Sequence, residues 1–497
     1  MANYDHDLEC KCSKPHELVV LRTVFITWPL STRPFFFGER GDTLELMHRF
    51  NEETKELANA IVDYSLGRVA VESIPLDGPK SNEELAGLYG ANITKEGIGG
   101  KEALRRFVEG YSLATLSSDN PRFLAFVPVA PTKAATLFDL VVSASSICGS
   151  TWIEGAGAIY LENEALSFLA SMARMGPNAG GTFVSGGSAG NLGGLVAGRE
   201  RARRLGKLKG RGAILASSDA HSSISMAARI MDVDVILAKG DANGKLRGDA
   251  LVETFDSLSP MDAERVFCVA ATAGVTNTGI VDDLATSGAF AKEKGLWFHV
   301  DGAYGGAGML APRLAELYNG IELADSFVVD PHKWLFAPFD CAAIIYGDPR
   351  DAAYAMTQEA SYLDDVNKER EWNPASYAYH LTRRSRGLPF WFSLATYGTN
   401  AYKEAIEATL DVTTYCRNQI IEREYLDLAI EPELTVVVFR RLGWSDQDYI
   451  SWSEGLLQNE VAFVQPTTFR GERMMRLCFV NPLTSNDDVD LILDSMK

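Results

Sequence analysis

The pattern of apolar and polar positions divides the chain into three textures. From Thr43 onward, Leu46, Phe50, Leu57, Ile61 and Tyr64 recur at helical spacing, and helical patterns continue to about Ser118 across the break Ile74-Pro75-Leu76-Asp77-Gly78-Pro79. After Pro121, short continuous apolar runs alternate with helical stretches, at 181–184, 213–216, 233–237, 266–270, 296–300, 327–329 and 342–346. Runs that are apolar at every position are buried on both faces, and such strands separated by helices predict an α/β fold with a mostly parallel sheet. From roughly Gly387 a long helix over 390–421 precedes candidate strands at 434–439 and 475–480, with a helix over 446–458 between them. That order predicts a small C-terminal α+β domain. The chain thus divides into an unassigned extension (1–41), a helical N-terminal segment (42–118), a large sheet domain (119–386) and a small domain (387–497).

The apolar stretch 18–37 is interrupted by Arg22, Pro29, Arg33 and Pro34, so it is too broken to span a bilayer, and no anchor is expected. With 497 residues, the chain exceeds what one hydrophobic core organises. Lys+Arg 47 against Asp+Glu 66 leaves a net charge of −19, which repels phosphate backbones and anionic lipid, so neither nucleic acid nor a membrane is an expected partner. The 7 cysteines are odd in number and scattered, the usage of reduced thiols in a cytoplasmic protein. His6, Cys10, Cys12 and His16 could supply four soft ligands, but they lack the spacing of a structural zinc knuckle and lie in a short polar terminus. No metal is expected.

Chemistry concentrates where the strand-like runs end. Gly186-Gly187-Ser188-Ala189-Gly190 follows one such run and opens a helix, which is the context of a nucleophile elbow. Asp301 or Asp325, then His332 or His380, follow in the order of an α/β serine hydrolase, so that reading competes. No His-Gly-Gly segment lies upstream to build its oxyanion hole. The same glycine turn at a helix start also aims backbone N–H groups at one point, which makes an anion site. His299-Val300-Asp301-Gly302-Ala303-Tyr304 puts a carboxylate at a strand end, where open α/β sheets bind ligands. Lys333, in Asp330-Pro331-His332-Lys333-Trp334, sits against an apolar run, and burial disfavours its charge and frees a nucleophilic amine. Amine, strand-end carboxylate and anion turn together are what pyridoxal 5'-phosphate requires. His221, in Ala220-His221-Ser222-Ser223, follows another strand to the same edge.

These four motifs, together with Arg383-Arg384-Ser385-Arg386, resemble the group II pyridoxal-phosphate-dependent amino-acid decarboxylases, the family of aromatic-amino-acid, glutamate, histidine and diaminobutyrate decarboxylases. The resemblance runs from about Thr43 to the C-terminus and implies the type I, aminotransferase-like fold. It implies that Lys333 carries the cofactor as a Schiff base, that Asp301 keeps the ring nitrogen protonated, and that His221 and Ala303 take its two faces. Ser188, Ala189 and Gly190 resemble the phosphate turn, helped by Ser326 and His332, and Thr272 resembles the residue beside the ring substituent. The resemblance further implies a homodimer with active sites at the interface, assisted by the helical N-terminal segment. In Glu359-Ala360-Ser361-Tyr362-Leu363, Tyr362 resembles the loop tyrosine that protonates the substrate carbon.

The implied reaction is α-decarboxylation of an L-amino acid, with an aromatic substrate expected and an acidic or small aliphatic one as the alternative. Aminotransferase or lyase chemistry shares the fold and the lysine. Three departures bear on this. Asp330 stands where several aromatic-specific members have Asn, and an acid near a phosphate repels it unless protonated or turned away. Asn120-Pro121 replaces a His-Pro start, and Phe126 and Val127 stand where aromatic-specific members show two rings.

Overall fold

The structure, a computed structural model, describes residues 47–358 and 371–497. By compactness the chain divides into Met1–Tyr64 and Ser65–Lys497. In the first unit the described residues 47–64 hold most of the helix Glu52–Ala70, which begins where Asn51 Oδ1 accepts the Thr54 N–H at 2.8 Å. The cluster His6, Cys10, Cys12 and His16 and the proton-donor candidate Tyr362 lie outside the described residues.

In the second unit a seven-stranded sheet comprises β1 (Gly180–Val184), β2 (Ala213–Ser217), β3 (Asp234–Ala238), β4 (Val266–Thr272), β5 (Trp297–Asp301), β6 (Ser326–Val329) and β7 (Ala342–Tyr346). Their order across the sheet is β1-β7-β6-β5-β4-β2-β3, with β7 antiparallel to both its neighbours and the other pairings parallel. Every residue of β2, β4, β5, β6 and β7 is buried, which explains why their sequences are predominantly apolar and lack the alternation of a one-sided sheet. Register matters for the site. Thr272 pairs with Asp301, and Asp301 with Val328, so three adjacent strands end together.

The helix Gly187–Arg204 lies across the inner strands on a line of glycines. A Cβ at Gly190 would stand 2.9 Å from Val328, one at Gly194 2.6 Å from the His299 ring, and one at Gly198 2.6 Å from Trp297. Spaced four residues apart, these glycines occupy one helix face and bring its backbone down onto β5 and β6.

The C-terminal part forms a four-stranded antiparallel sheet, β10-β11-β9-β8, from β8 (Leu426–Ile430), β9 (Val436–Arg441), β10 (Gln465–Phe469) and β11 (Glu472–Cys478). Tyr449, Leu456, Val489 and Ile492 on the helices Asp446–Gln458 and Asn486–Asp494 pack into one core with Val437, Phe439, Met475 and Leu477. The long predicted helix runs over Leu388–Glu422 but is interrupted at Gly398, whose φ of 73° leaves the helical region. Tyr304 ties the two sheets, its hydroxyl accepting the Thr435 N–H at 3.0 Å.

Candidate active site

Six strands that share one direction, all but β7, deliver their C-terminal ends to one side of the large sheet. A cavity of about 350 Å³ opens there, and Ser188, His221, Thr272, Asp301, Ala303, His332 and Lys333 all line it. This is the sheet edge where parallel α/β folds place ligands. Seven separately predicted residues therefore meet in one space. Asn191, Ser223, Asp330 and Phe339 also line it.

Asp301 closes β5. Its Oδ1 accepts the Ala303 N–H at 3.1 Å, and its Oδ2 accepts from Asn191 Nδ2 at 2.8 Å. Because an ionised carboxylate can only accept, that contact fixes the Asn191 amide with Oδ1 turned to His299 Nε2, 2.9 Å away. His299 must then donate from Nε2 and accept at Nδ1 from the Ser326 hydroxyl, at 2.8 Å. Trp297 Nε1 donates to the same Ser326 oxygen at 2.8 Å. Complete burial holds His299 neutral, pushing it down to about 4 against the opposing pull of Asp301.

Asn191 reaches a second cavity residue. Its Nδ2 also donates to Ser223 Oγ at 2.8 Å, and that oxygen lies 2.8 Å from His221 Nδ1. His221 caps the helix Ser222–Met231 by accepting the Ser223 N–H at 3.1 Å. Its ring is thus both a cap and a cavity wall. Thr272 is held from behind, its N–H donating to Asp282 Oδ2 at 2.7 Å, while Asp282 Oδ1 accepts the Leu246 N–H at 2.8 Å. Burial pushes the Asp282 carboxyl up to about 7 despite those two amides.

Lys333 Nζ stands 3.0 Å from Asp330 Oδ2. Burial alone would lower its affinity for a proton, as the sequence suggested, but Asp330, with Asp301 further off, outweighs burial and holds the amine protonated above its ordinary range. The expected neutral lysine is thus opposed by these two carboxylates, Asp330 first. His332 accepts the Cys341 N–H through Nδ1 at 2.9 Å, and burial holds it below its ordinary range.

Three expectations for the anion turn change. Ser326 is fully buried between Trp297 and His299 and does not line the cavity, because as the first residue of β6 it faces the helix. The amides of Ala189 and Gly190 both donate to the Gly186 carbonyl, at 2.9 and 3.1 Å, and Gly190 turns its Cα to Val328. At the start of the helix, Gly187 N–H donates to Asp330 Oδ2 at 3.1 Å, and Ser188 remains on the cavity wall. Nor does Ser188 share a hydrogen bond with His332 or His380 among the described residues, so the hydrolase arrangement does not form.

The Arg383-Arg384-Ser385-Arg386 motif is architectural. Arg383 is buried against Glu162, and its Nε donates to the Gly149 carbonyl at 2.6 Å. Arg384 pairs with Asp139 at 2.9 Å, and Arg386 pairs with the cavity residue Asp340 at 2.7 Å. From the small sheet Arg476 reaches back, donating to the Thr276 carbonyl at 2.7 and 3.0 Å and to that of Phe126 at 2.6 Å. The sequence reading missed Arg476 and Asn191. Asn191 is marked only as a polar residue on a helix face of glycines, and Arg476 only as a cation inside an apolar strand.

Sheet topology and cavity define a type I pyridoxal-phosphate enzyme. Residues 112–442 match the pyridoxal-dependent decarboxylase conserved domain, and the chain belongs to that family: it is a pyridoxal-phosphate-dependent amino-acid decarboxylase. The aromatic-L-amino-acid decarboxylase of Bacillus atrophaeus is 26% identical over 459 residues, covering 90% of this chain and 95% of the relative. The L-2,4-diaminobutyrate decarboxylase of Rhizobium meliloti (strain 1021) is 30% identical over 385 residues, covering 74% and 75%. In fold, the chain is similar to Catharanthus roseus tryptophan decarboxylase, solved with L-tryptophan, with a TM-score of 0.80 at 21% identity, covering 90% and 98%.

The residues fit the cofactor. A Cβ at Gly187 would stand 2.8 Å from Ala303 Cβ and 2.9 Å from Asp330 Oδ2, so the turn stays open only because it is glycine. Asp330 Oδ1 is buried without a hydrogen-bond partner among the described residues, which marks a polar site built for more than its own side chains.

Proposed function

We propose that this chain decarboxylates an aromatic L-amino acid, with Lys333 as the residue that bonds the cofactor and Asp301 as the partner of its ring nitrogen. The observation that carries the reading is that Lys333 and Asp301 line one cavity with His221, Thr272 and Ala303. When bound, pyridoxal phosphate supplies an electron sink for the carbon that loses carbon dioxide. Asp301 would hold a proton on the ring nitrogen, its own geometry kept by Ala303 and Asn191. His221 and Ala303 would take the two ring faces, Thr272 the ring edge, and Ser188 with His332 the phosphate. Tyr362 is kept as the proton donor to the substrate carbon.

An aromatic substrate is supported by Phe339 on the cavity wall and by the Bacillus atrophaeus relative, which aligns over more of both chains than the Rhizobium meliloti diaminobutyrate enzyme does. Homodimerisation is part of the same reading. Leu137, Leu140 and Val141 share one exposed face of the helix Lys133–Ala144, and Ile153 and Tyr160 are exposed on Trp152–Met172, surfaces suited to a second copy. We assign the enzyme to the cytoplasm from its cysteine usage, and no helix among the described residues is long and apolar enough to cross a membrane. The division at 118 and 386 remains our proposal for the domains.

The test is direct. The purified enzyme is expected to be yellow, to bleach with borohydride, and to carry the reduced pyridoxyl label on Lys333. Label on another lysine would reassign the site. A screen of aromatic, acidic, basic and aliphatic L-amino acids for released amine and carbon dioxide then identifies the substrate, and preferred turnover of an acidic or aliphatic one overturns the aromatic reading.

A further inference from the structure

The buried carboxylate of Asp330 is placed at the anion-binding pole of the site. Only 2% of Asp330 is exposed, its Oδ2 takes the Gly187 amide at the start of the helix Gly187–Arg204, and its Oδ1 has no partner among the described residues. One cation, Lys333, offsets this charge from one side, and the His332 ring lies beside it. Lys333 Nζ stands 3.0 Å from Oδ2, and His332 Nε2 stands 3.6 Å from it. A helix N-terminus attracts one anion through its first free amides. Here the Ala189 and Gly190 amides are turned inward to Gly186, and the Gly187 amide is held by a carboxylate.

We propose that Asp330 is a resident counter-anion: it neutralises Lys333 in the cofactor-free enzyme and competes with the cofactor phosphate for the helix pole, so that pyridoxal phosphate is held more loosely than a neutral side chain would allow. The inference rests on the phosphate reading given above. Its physical basis is simple. With the cofactor in place, Lys333 Nζ would condense with its aldehyde, releasing water, and would no longer stand as a free ammonium beside Asp330, while the phosphate would bring a second anion to the pole. Asparagine has nearly the same shape without the charge, so its substitution isolates the electrostatic effect.

The experiment titrates cofactor-free wild type, Asp330→Asn and Asp330→Ser with pyridoxal phosphate and with pyridoxal, which lacks the phosphate, reading bound cofactor by absorbance and tryptophan fluorescence. Both variants lose the Lys333 counter-ion, an effect shared by the two ligands, so the ratio of their affinities isolates the phosphate. That ratio is expected to rise about tenfold in either variant, the effect of roughly one like charge nearby in a partly polar site. An unchanged or lower ratio in a folded variant overturns the proposal and makes Asp330 a neutral or hydrogen-bonding partner of the phosphate. Wild type that binds both ligands equally would instead remove the phosphate reading, and the inference with it.

Discussion

The side-chain amide of Asn191 bridges two buried residues of opposite need, donating to Asp301 Oδ2 at 2.8 Å while accepting from His299 Nε2 at 2.9 Å. No other uncharged side chain of that length offers both a donor and an acceptor in those directions. Asn191→Leu is therefore expected to leave two buried groups unpaired and to destabilise the fold by about 2–5 kcal/mol, read from urea unfolding. Asn191→Asp should be worse, since it sets a second carboxylate against Asp301. If the aspartate variant is the more stable of the two, the donor assignment at Asn191 is wrong.

Two buried groups near the sheet edge respond to pH in opposite directions. The folded chain keeps His299 neutral down to about 4, whereas the unfolded chain protonates it near 6.5, so its contribution to stability is lost as pH falls through that window. Asp282 stays protonated up to about 7 when folded but ionises near 3.8 when unfolded, so its contribution is lost as pH rises. Each amounts to roughly 3–4.5 kcal/mol across its window. The stability gap between wild type and His299→Gln should narrow as pH drops from 6.5 to 4. For Asp282→Asn the gap should narrow as pH climbs from 4 to 7. Parallel pH profiles for wild type and both variants would contradict these assignments.

Gly194→Ala tests the close seating of the helix Gly187–Arg204. The added methyl would lie 2.6 Å from His299 Nδ1 and 2.8 Å from Ser326 Oγ, both of which are hydrogen-bonded and buried. We expect about 1–3 kcal/mol of destabilisation in chemical denaturation. Gly455→Ala in the helix Asp446–Gln458, where nothing lies within 4 Å, serves as the control and should be neutral or mildly stabilising.

Ser188→Ala should keep decarboxylase turnover within about tenfold of wild type, because one hydroxyl at an anion site contributes on the order of 1 kcal/mol. A fluorophosphonate probe should leave wild-type Ser188 unlabelled. Labelling at this serine would mean that a general base reaches it in solution.

How far the sequence reads ahead depends on whether a feature is local. β2 and β4 to β7 announce themselves because burial on both faces leaves them predominantly apolar, and the motifs at their ends follow directly. β8 and β10 were not anticipated. Leu426-Asp427-Leu428-Ala429-Ile430 is a short alternating run, and Gln465-Pro466-Thr467-Thr468-Phe469 is a polar edge strand containing proline, whose pairing depends on β11. Ser326 sits away from the cavity for a related reason. Adjacent to a motif in sequence, it begins a strand whose pleat turns its hydroxyl toward His299. The protonated state of Lys333 was equally beyond reach, because the balance between burial and Asp330 is decided by a 3.0 Å contact.

The glycine line on the helix Gly187–Arg204 has a mechanical consequence. With backbone resting on His299, Trp297 and Val328, the helix cannot slide or roll without driving its next residues into the sheet, so the pole carrying Gly187 is indexed to the ends of β5 and β6. Thr276, which also lines the cavity, is instead tethered through its carbonyl to Arg476 of the second sheet. The cavity wall at the start of that helix therefore keeps its dimensions when side chains elsewhere around the cavity are exchanged.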